Sequence, residues 1–261
     1  MNKIVRSLLL QFPRIYEFIY KIKNNYQVNY YLNKVHEPDF KAFNLLCSDS
    51  PQLFLDIGAN VGMSALSIFT VKSNAKVISF EPNLINYPYL DKLVNKFNNF
   101  QYMKVGLGDM PKSLDFYYPV YNNKPMTALG SCDRQKAASW LNKNTVYFFD
   151  ANKLKIAKIT IDVKTLDSFN LQPDFIKIDV EGFEYQVLLG SEKTINDHRP
   201  ILLIEGVAKD DKVHQQLKNW KYAAFKFVDN RFYLDEFDCD NNFFIPQEKM
   251  PLISSYLNQN K

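Results

Sequence analysis

The segment that most constrains this chain is an apolar run that ends in a glycine turn, Leu53-Phe54-Leu55-Asp56-Ile57-Gly58-Ala59-Asn60-Val61-Gly62. With the apolar stretch that follows, it predicts a buried parallel strand, a tight turn and the first helix of an α/β unit. Gly58 can adopt backbone conformations closed to other residues, and Gly62 lets the helix begin close to the strand and whatever lies over it. Such a turn either cradles a ligand or simply links a strand to a helix.

A second predicted strand, Lys76–Phe80, ends in Glu81-Pro82. Glu81 follows Gly62 by 19 residues. In nucleotide-binding α/β folds a strand-end acid meets a ribose diol at an interval of about 20 residues. Because the turn and the acid occur together, a nucleoside ligand is favoured over a simple linking turn.

The residues of the turn indicate which nucleoside. A dinucleotide fingerprint has a middle glycine that lets the backbone approach a pyrophosphate, and a phosphate-binding loop ends in Gly-Lys-Ser/Thr. Here the middle position is Asn60, and no lysine follows. Asp56 places negative charge beside the turn, which repels phosphate but suits a sulfonium and an ammonium group. The predicted cofactor is therefore S-adenosylmethionine.

Two later segments extend the predicted site. The turn Gly106-Leu107-Gly108-Asp109 follows a predicted strand near residues 100–105. Its acid, Asp109, is placed to accept a hydrogen bond from an adenine amino group, and an ordinary turn-forming role is equally open. Residues 112–165 then break the alternation of strands and helices. We interpret them as an insert that is either a substrate lid or a subdomain without a role in binding.

Acidic residues cluster at the ends of two predicted strands, namely Asp179, Glu181, Glu184 and Glu205. Asp179 is our first choice for a general base or for the group that orients an acceptor hydroxyl. Lys177 lies on the same strand face, so an ion pair with one of the acids and a role in binding or catalysis are equally open. A divalent ion held by Asp179 and Glu205 is a less favoured alternative.

In five motifs the chain resembles the FkbM-type S-adenosylmethionine-dependent methyltransferases. The motifs are Asp56-Ile-Gly-Ala-Asn-Val-Gly62, Phe80-Glu-Pro82, Thr165-Leu-Asp167, Ile176-Lys-Ile-Asp-Val-Glu-Gly-Phe-Glu184 and Ile204-Glu205. The resemblance implies a doubly wound, Rossmann-like class I methyltransferase sheet of seven strands, one of them antiparallel. It also implies an O-methyltransferase that acts on hydroxyls of sugars, glycolipids or natural products. Acceptor choice is expected to reside in the first 45 residues and the 122–155 insert, which lie outside the resemblance.

We divide the chain into an N-terminal helical extension, 1–50, and a methyltransferase domain, 51–250. The first 22 or so residues have an amphipathic helical pattern, and residues 1–34 carry six Lys and Arg against one Glu. The extension therefore either packs on the domain or lies on an anionic membrane surface. Since the whole chain carries +4 and residues 1–34 carry +5, the remainder sums to −1, which argues against nucleic acid as a partner.

Cysteine spacing and hydropathy set the expected compartment. The three cysteines are far apart, and no apolar run approaches the length of a membrane span. We expect a cytoplasmic protein, with membrane association through residues 1–34 as an option. Two other function classes stay open, a nucleoside-binding module without catalysis and, less favoured, an NAD-dependent oxidoreductase.

Two further expectations concern single residues. The histidines, His36, His198 and His214, lie outside the motifs and are expected at the surface. The substitution Gly58→Val is expected to abolish cofactor binding by steric clash and to leave the domain folded.

Overall fold

The computed structural model describes residues 34–258 and, nearer the N-terminus, Ser7, Leu8 and residues 10–12. Most of the predicted N-terminal helix therefore lies outside the described residues. Within it, Ser7, Leu8, Leu10 and Gln11 are helical.

The chain divides into two compact units. The smaller combines residues 1–30 with 113–161, and the larger combines residues 31–112 with 162–261. The strands, in chain order, are β1 (Leu53–Ile57), β2 (Lys76–Phe80), β3 (Phe100–Met103), β4 (Gly106–Leu107), β5 (Lys112–Tyr121), β6 (Lys124–Pro125), β7 (Leu154–Lys164), β8 (Phe175–Ile178), β9 (Ile201–Glu205), β10 (Tyr222–Val228), β11 (Arg231–Leu234) and β12 (Asn241–Pro246). The helices are α1 (Phe43–Leu46), α2 (Met63–Val71), α3 (Tyr87–Lys96), α4 (Arg134–Ser139), α5 (Glu184–Leu189), α6 (Glu192–His198) and α7 (Lys212–Asn219).

The larger unit is built on an eight-stranded sheet in the order β11-β10-β12-β9-β8-β1-β2-β3. Neighbouring strands from β9 to β3 pair in parallel, and β12 runs antiparallel to both β9 and β10. The predicted doubly wound, Rossmann-like sheet is confirmed. The strand count differs from the predicted seven with one antiparallel, because β11 adds a second antiparallel strand. The two residues between β10 and β11, Asp229 and Asn230, both have positive φ, as a tight hairpin turn requires.

The central strands form the core because they are apolar along their whole length. β8 is buried at every position and β1 at four of five, as expected for parallel strands covered on both faces. Phe54 and Phe175 stack with ring centroids 4.5 Å apart across this pair. Phe43 of α1 meets both rings edge-on, at 5.2 and 5.3 Å. These three rings form a packed aromatic cluster against β1 and β8.

The smaller unit contains most of the predicted insert. Its strands β5 and β6 pair antiparallel through Val120 opposite Pro125. Its core consists of Leu10, Tyr121, Leu141 and Val146. The insert's predicted role as a substrate lid stays a prediction. Among the described residues, no helix combines the length and the hydropathy needed to cross a bilayer.

Candidate active site

The turn after β1 lies where the order of the parallel strands reverses, between β1 and β8. Open α/β sheets bind ligands at such a point, outside the carboxyl ends of the strands. The Asp179 N–H donates to the Ile57 carbonyl at 2.9 Å, which holds the end of β8 against the end of β1. Gly58 has φ +92°, and a Cβ there would overlap the carbonyl oxygen of Asp179. The expectation that Gly58→Val leaves a folded domain stays a prediction, and this contact opposes it, because the clash is with backbone.

The remainder of the turn connects the first strand to the second. Gly62 has φ +85°, and a Cβ there would overlap the Leu93 side chain of α3, so glycine lets α2 begin against α3. Asn60 has φ +49°, a left-handed conformation that Asn tolerates better than most residues. The Asn60 N–H donates to Glu81 Oε2 at 2.6 Å. The predicted cofactor residues of the turn and of β2 are thus in direct contact.

Glu81 is a buried carboxylate held by backbone donors. Its Oε1 accepts from the Asn83 N–H at 2.7 Å, and Asn86 adds a side-chain bond. Burial raises the pKa of Glu81 to about 7, although these hydrogen bonds favour the ionised form. A carboxylate offers about four lone-pair sites, of which three are used here. One lone-pair site is therefore free to accept a hydrogen bond from a ligand. To accept from both ribose hydroxyls, Glu81 would also need the site that Asn86 now occupies.

Two buried amide atoms next to Glu81 have no hydrogen-bond partner among the described residues, Asn60 Oδ1 and Asn83 Nδ2. Both residues donate their backbone N–H to Glu81. Because buried polar atoms are normally paired, an orphan acceptor and an orphan donor beside one acid mark a place for a polar ligand. The set fits a nucleoside, which presents donors and acceptors together.

Asp56 and Asp109, the other predicted cofactor acids, differ in exposure. Asp56 is fully buried, and its Oδ2 accepts from the Ser79 hydroxyl at 2.8 Å. Burial raises the pKa of Asp56, against the attraction of Lys177. With no exposed atom, Asp56 would influence a bound ligand through its electric field rather than by contact. Asp109 lies in a turn and binds Lys112 at 2.6 Å, a bond that holds the Asp109 pKa below its usual value.

The predicted catalytic residues Lys177, Asp179 and Glu205 form one connected group. β8 and β9 pair with Ile178 opposite Ile204, so Asp179 and Glu205 follow at the same level. The Lys177 Nζ donates to Asp179 Oδ2 at 2.9 Å. The Lys177 side chain is 2% exposed and that of Asp179 30%. A hydrogen bond joins Glu205 to Asp179. The ion pair anticipated for Lys177 is present, and Asp179 is its solvent-facing member.

Burial shifts the pKa of all three groups, and the contacts among them decide the final direction of each shift. Burial would raise the pKa of Asp179, but the Lys177 charge and the bonds from Glu205 and Lys177 hold it below its usual value. Burial and the Asp179 charge together raise the pKa of Glu205 to about 9. Burial would lower the pKa of Lys177, but the attraction of Asp179 raises it. At neutral pH the group is an ammonium, a carboxylate and a neutral carboxylic acid that donates to it.

Glu181 follows this group in the loop before α5, and Glu184 is the first residue of that helix. Glu184 Oε1 accepts from the Gly182 N–H at 2.9 Å and so holds the loop. Glu181 has φ +54° and is half-buried, and its charge contributes to the raised pKa of Glu205. Glu184 thus stabilises the loop, whereas Glu181 adds negative charge to the site.

A segment before β1, which the motifs did not indicate, also reaches this group. Asn241 lies opposite Glu205 in the pairing of β12 with β9. Its Nδ2 donates to Glu37 Oε2 and Asp39 Oδ2, both at 3.1 Å. Burial, the largest influence, would raise the pKa of Glu37, but the hydrogen bond and charge of His36, and less strongly the charge of Lys177, lower it. Only the antiparallel pairing of β12 brings these distant residues together, so no local pattern could reveal them.

The expectation of surface histidines is wrong for His214, which is buried, whereas His36 and His198 are intermediate in exposure. His36 is partly buried, with Nδ1 2.7 Å from the Ser67 Oγ of α2 and Nε2 3.3 Å from Glu37 Oε1. His214 is buried, and its Nδ1 accepts from the Asp210 N–H at 2.9 Å. His198 is intermediate in exposure. His36 therefore tethers the segment with Glu37 to the helix that follows the glycine turn.

Metal ligation by Asp179 and Glu205 is the less favoured prediction. Within residues 34–258 and the few described N-terminal residues, no group of three or more His, Cys, Asp or Glu side chains is arranged to hold a metal ion. Asp179 and Glu205 instead form a hydrogen-bonded acid–carboxylate pair.

Comparison with known proteins identifies a domain family. The family model for the Methyltransferase FkbM domain matches residues 56–238. No match was found among curated protein sequences. Similar solved structures include the methyltransferase FkbM from Methylobacillus flagellatus KT, with 19% identity and a TM-score of 0.49, covering 83% of this chain and 50% of that one. This chain thus spans half the length of that relative.

Two further structures are more distant. Aeropyrum pernix fibrillarin, solved with natively bound S-adenosyl-L-methionine, has 12% identity and a TM-score of 0.40, covering 82% of this chain and 75% of that one. Precorrin-6y C5,15-methyltransferase from Geobacter metallireducens GS-15 has 11% identity and a TM-score of 0.39. The match covers 81% of this chain and 87% of that one. The family model alone therefore carries the assignment.

Proposed function

Since the chain belongs to the FkbM methyltransferase family, as its motifs predicted, we propose that it transfers a methyl group from S-adenosylmethionine to a hydroxyl of a sugar, glycolipid or natural product. The observation that carries this proposal is the Lys177–Asp179–Glu205 group at the strand reversal, packed directly against the glycine turn. The NAD-dependent alternative loses its support, because Asn60 replaces the middle glycine and the family is one of methyltransferases.

Residues on both sides of the turn would hold the cofactor. S-adenosylmethionine, when bound, supplies an electrophilic methyl group on a positively charged sulfur. Glu81 would accept from the ribose, and Asn60 Oδ1 and Asn83 Nδ2 would gain the partners that they lack among the described residues. Gly58 and Gly62 would serve the cofactor indirectly, because they let the turn pack against Asp179 and Leu93. Asp109 would serve the adenine, as predicted from its place in the chain.

Asp179 would receive the proton of the acceptor hydroxyl. Its lowered pKa makes it a weak base, so it cannot ionise a free alcohol beforehand. Methyl transfer would form the oxygen–carbon bond as the sulfur–methyl bond breaks and S-adenosylhomocysteine leaves. The proton on that oxygen would then be strongly acidic, so a weak carboxylate suffices to accept it. Asp179 therefore orients the hydroxyl first and accepts its proton late. Lys177 and Glu205 are positioning residues that hold the carboxylate from two directions.

The test of this proposal is Asp179→Asn. We expect turnover to fall by roughly 10²–10⁴, the usual contribution of a positioned proton acceptor. Affinity for S-adenosylhomocysteine, measured by isothermal titration, should stay within a few fold. Glu205→Gln is the matched control, since glutamine can still donate to Asp179, and it should lose far less activity. Nucleotide sugars and lipid-linked glycans form the acceptor screen.

Three results would contradict parts of the proposal. Full activity of Asp179→Asn would move the search to Glu181 and Glu184. Loss of wild-type activity in chelator, with recovery in magnesium, would restore the metal alternative. Tight binding of S-adenosylhomocysteine without turnover of any screened acceptor would favour a nucleoside-binding module that lacks catalysis.

A further inference from the structure

The smaller unit exposes a set of large apolar side chains among its described residues. They are Leu8, Phe12, Trp140, Tyr147 and Phe148. We call these five residues the aromatic surface. Single exposed apolar residues are common on soluble proteins, but a group of five large ones in a small unit is a feature of interaction surfaces.

Hydrogen bonds hold the two segments of the aromatic surface together. The Tyr147 N–H donates to Ser7 Oγ at 2.7 Å, and Gln11 Nε2 donates to the Phe148 carbonyl at 2.8 Å. Ser7 and Gln11 are one helical turn apart, so this face of the helix touches the loop. Leu8 and Phe12 each follow one of these residues and lie on the adjacent strip. These bonds place the segment that carries Leu8 and Phe12 beside the loop that carries Tyr147 and Phe148.

Phe148 is in a conformation that needs an explanation. Its φ is +55°, which is rare for a bulky side chain, and the residue is 92% exposed. A positive φ costs a bulky residue free energy, and an exposed ring makes too few contacts with the described residues to offset that cost. Gln11 holds the backbone of this position instead. Strained residues that present a side chain to solvent are frequently part of a binding device.

The two units differ in net charge. Residues 1–30 and 113–161 carry 12 Lys and Arg against 4 Asp and Glu, a net charge of +8. Because the whole chain carries +4, the larger unit carries −4. Arg134, Lys143 and Lys153 are among the exposed cations of the smaller unit. The unit that bears the aromatic surface is therefore the basic one.

We propose that the aromatic surface docks on an anionic lipid bilayer. Tryptophan and tyrosine are suited to the headgroup level, leucine and phenylalanine to the acyl boundary, and the basic residues to anionic lipid. Nucleic acid would also attract the charge, but a stacking platform has no use for an aliphatic residue such as Leu8. The loop around Phe148 thus joins the N-terminal segment as one membrane-binding element. This inference does not depend on the proposed methyl transfer.

The first test removes the Phe148 ring without straining the fold. Phe148→Asn places a residue that favours positive φ at this position, so its melting temperature should equal or exceed that of the wild type. In sedimentation with vesicles of phosphatidylcholine and phosphatidylserine, the full-length variant should bind about tenfold more weakly, the scale for losing one buried aromatic side chain. Leu234→Thr, at an exposed apolar residue of the larger unit, is the control and should bind like the wild type.

The second test reverses charge at two equivalent helix positions. Arg134 and Lys212 are each the first residue of a helix capped by an aspartate, Asp133 for α4 and Asp211 for α7. A glutamate there suits the helix dipole in both cases, so neither variant should unfold. Arg134→Glu should weaken vesicle binding severalfold at low salt, and Lys212→Glu should not.

Three outcomes would overturn the inference. One is equal vesicle binding by the wild type, Phe148→Asn and Arg134→Glu. Another is no difference between vesicles with and without phosphatidylserine. The third is tight binding of a random single-stranded RNA without vesicle binding, which would replace the bilayer by nucleic acid.

Discussion

Glu81 and Asp179 both end parallel strands at the same edge of the sheet, yet they are held by different donors. Glu81 is fixed mainly by backbone N–H groups, whose positions the turns determine, and its pKa rises to about 7. Asp179 is fixed by a buried ammonium and a neutral acid, and its pKa falls. The first arrangement suits a rigid binding contact. The second keeps ionised the carboxylate that, in the proposed reaction, would receive a proton.

The largest expected effect comes from Gly58→Ala, because Gly58 lies between the two acids. A Cβ would overlap the Asp179 carbonyl, so we expect a loss of roughly 4 kcal/mol or more in unfolding free energy, at the exceptional end for one substitution. Denaturant unfolding measures it. Gly206→Ala is the matched control, since Gly206 also has positive φ but open space around it, and should cost about 1–2 kcal/mol. Equal losses in the two variants would mean that the close packing of β1 and β8 is not what requires glycine.

A smaller effect, on cofactor affinity, is expected from Glu81→Ala, because Glu81 is the acid proposed to bind the cofactor. Losing a hydrogen bond to a charged group should weaken S-adenosylhomocysteine binding by about 2–3 kcal/mol. Titration calorimetry measures this, with Glu81→Gln as a control that keeps one acceptor oxygen. Wild-type affinity should also rise with pH through about 7, because the ionised form of Glu81 is the better acceptor. Unchanged affinity in Glu81→Ala would remove Glu81 from the cofactor site.

The smallest expected effect concerns the pH dependence of stability in Glu205→Gln. The folded protein binds the Glu205 proton more tightly than the unfolded chain, since the pKa rises from 4.5 to about 9. The stabilisation that this proton gives the folded protein is fully present below the unfolded-state pKa of Glu205. It is lost as pH rises through the folded-state pKa. Wild-type melting temperature should therefore fall between about pH 6 and 9 by a few degrees more than that of Glu205→Gln.

Glu248→Gln is the control for this pH series. Glu248 binds Arg199, which lowers its pKa, so it does not titrate over the same range. Its melting temperature should follow the wild-type slope. Parallel slopes for wild type and Glu205→Gln would mean that Glu205 is ionised in the folded protein.

Sequence alone determined the parts of this protein that depend on neighbours along the chain. The apolar runs of β1, β2, β8 and β9 required buried parallel strands, and the glycine turn required a sharp reversal after β1. The interval to Glu81 and the Lys177–Asp179 spacing on one strand face placed the acids at one edge. These features follow from local periodicity and backbone stereochemistry, which is why both acidic groups could be predicted.

Tertiary structure alone decided which atoms meet and in what charge state. The antiparallel entry of β12 puts Asn241 beside Glu205 and brings in Glu37, a contact across more than 200 residues that no pattern records. The buried position of Asp56, and the neutral state of Glu205, depend on how many atoms of distant segments exclude water. Local sequence sets backbone geometry, but burial and pairing are properties of the whole packed chain, and they set the chemistry of the site.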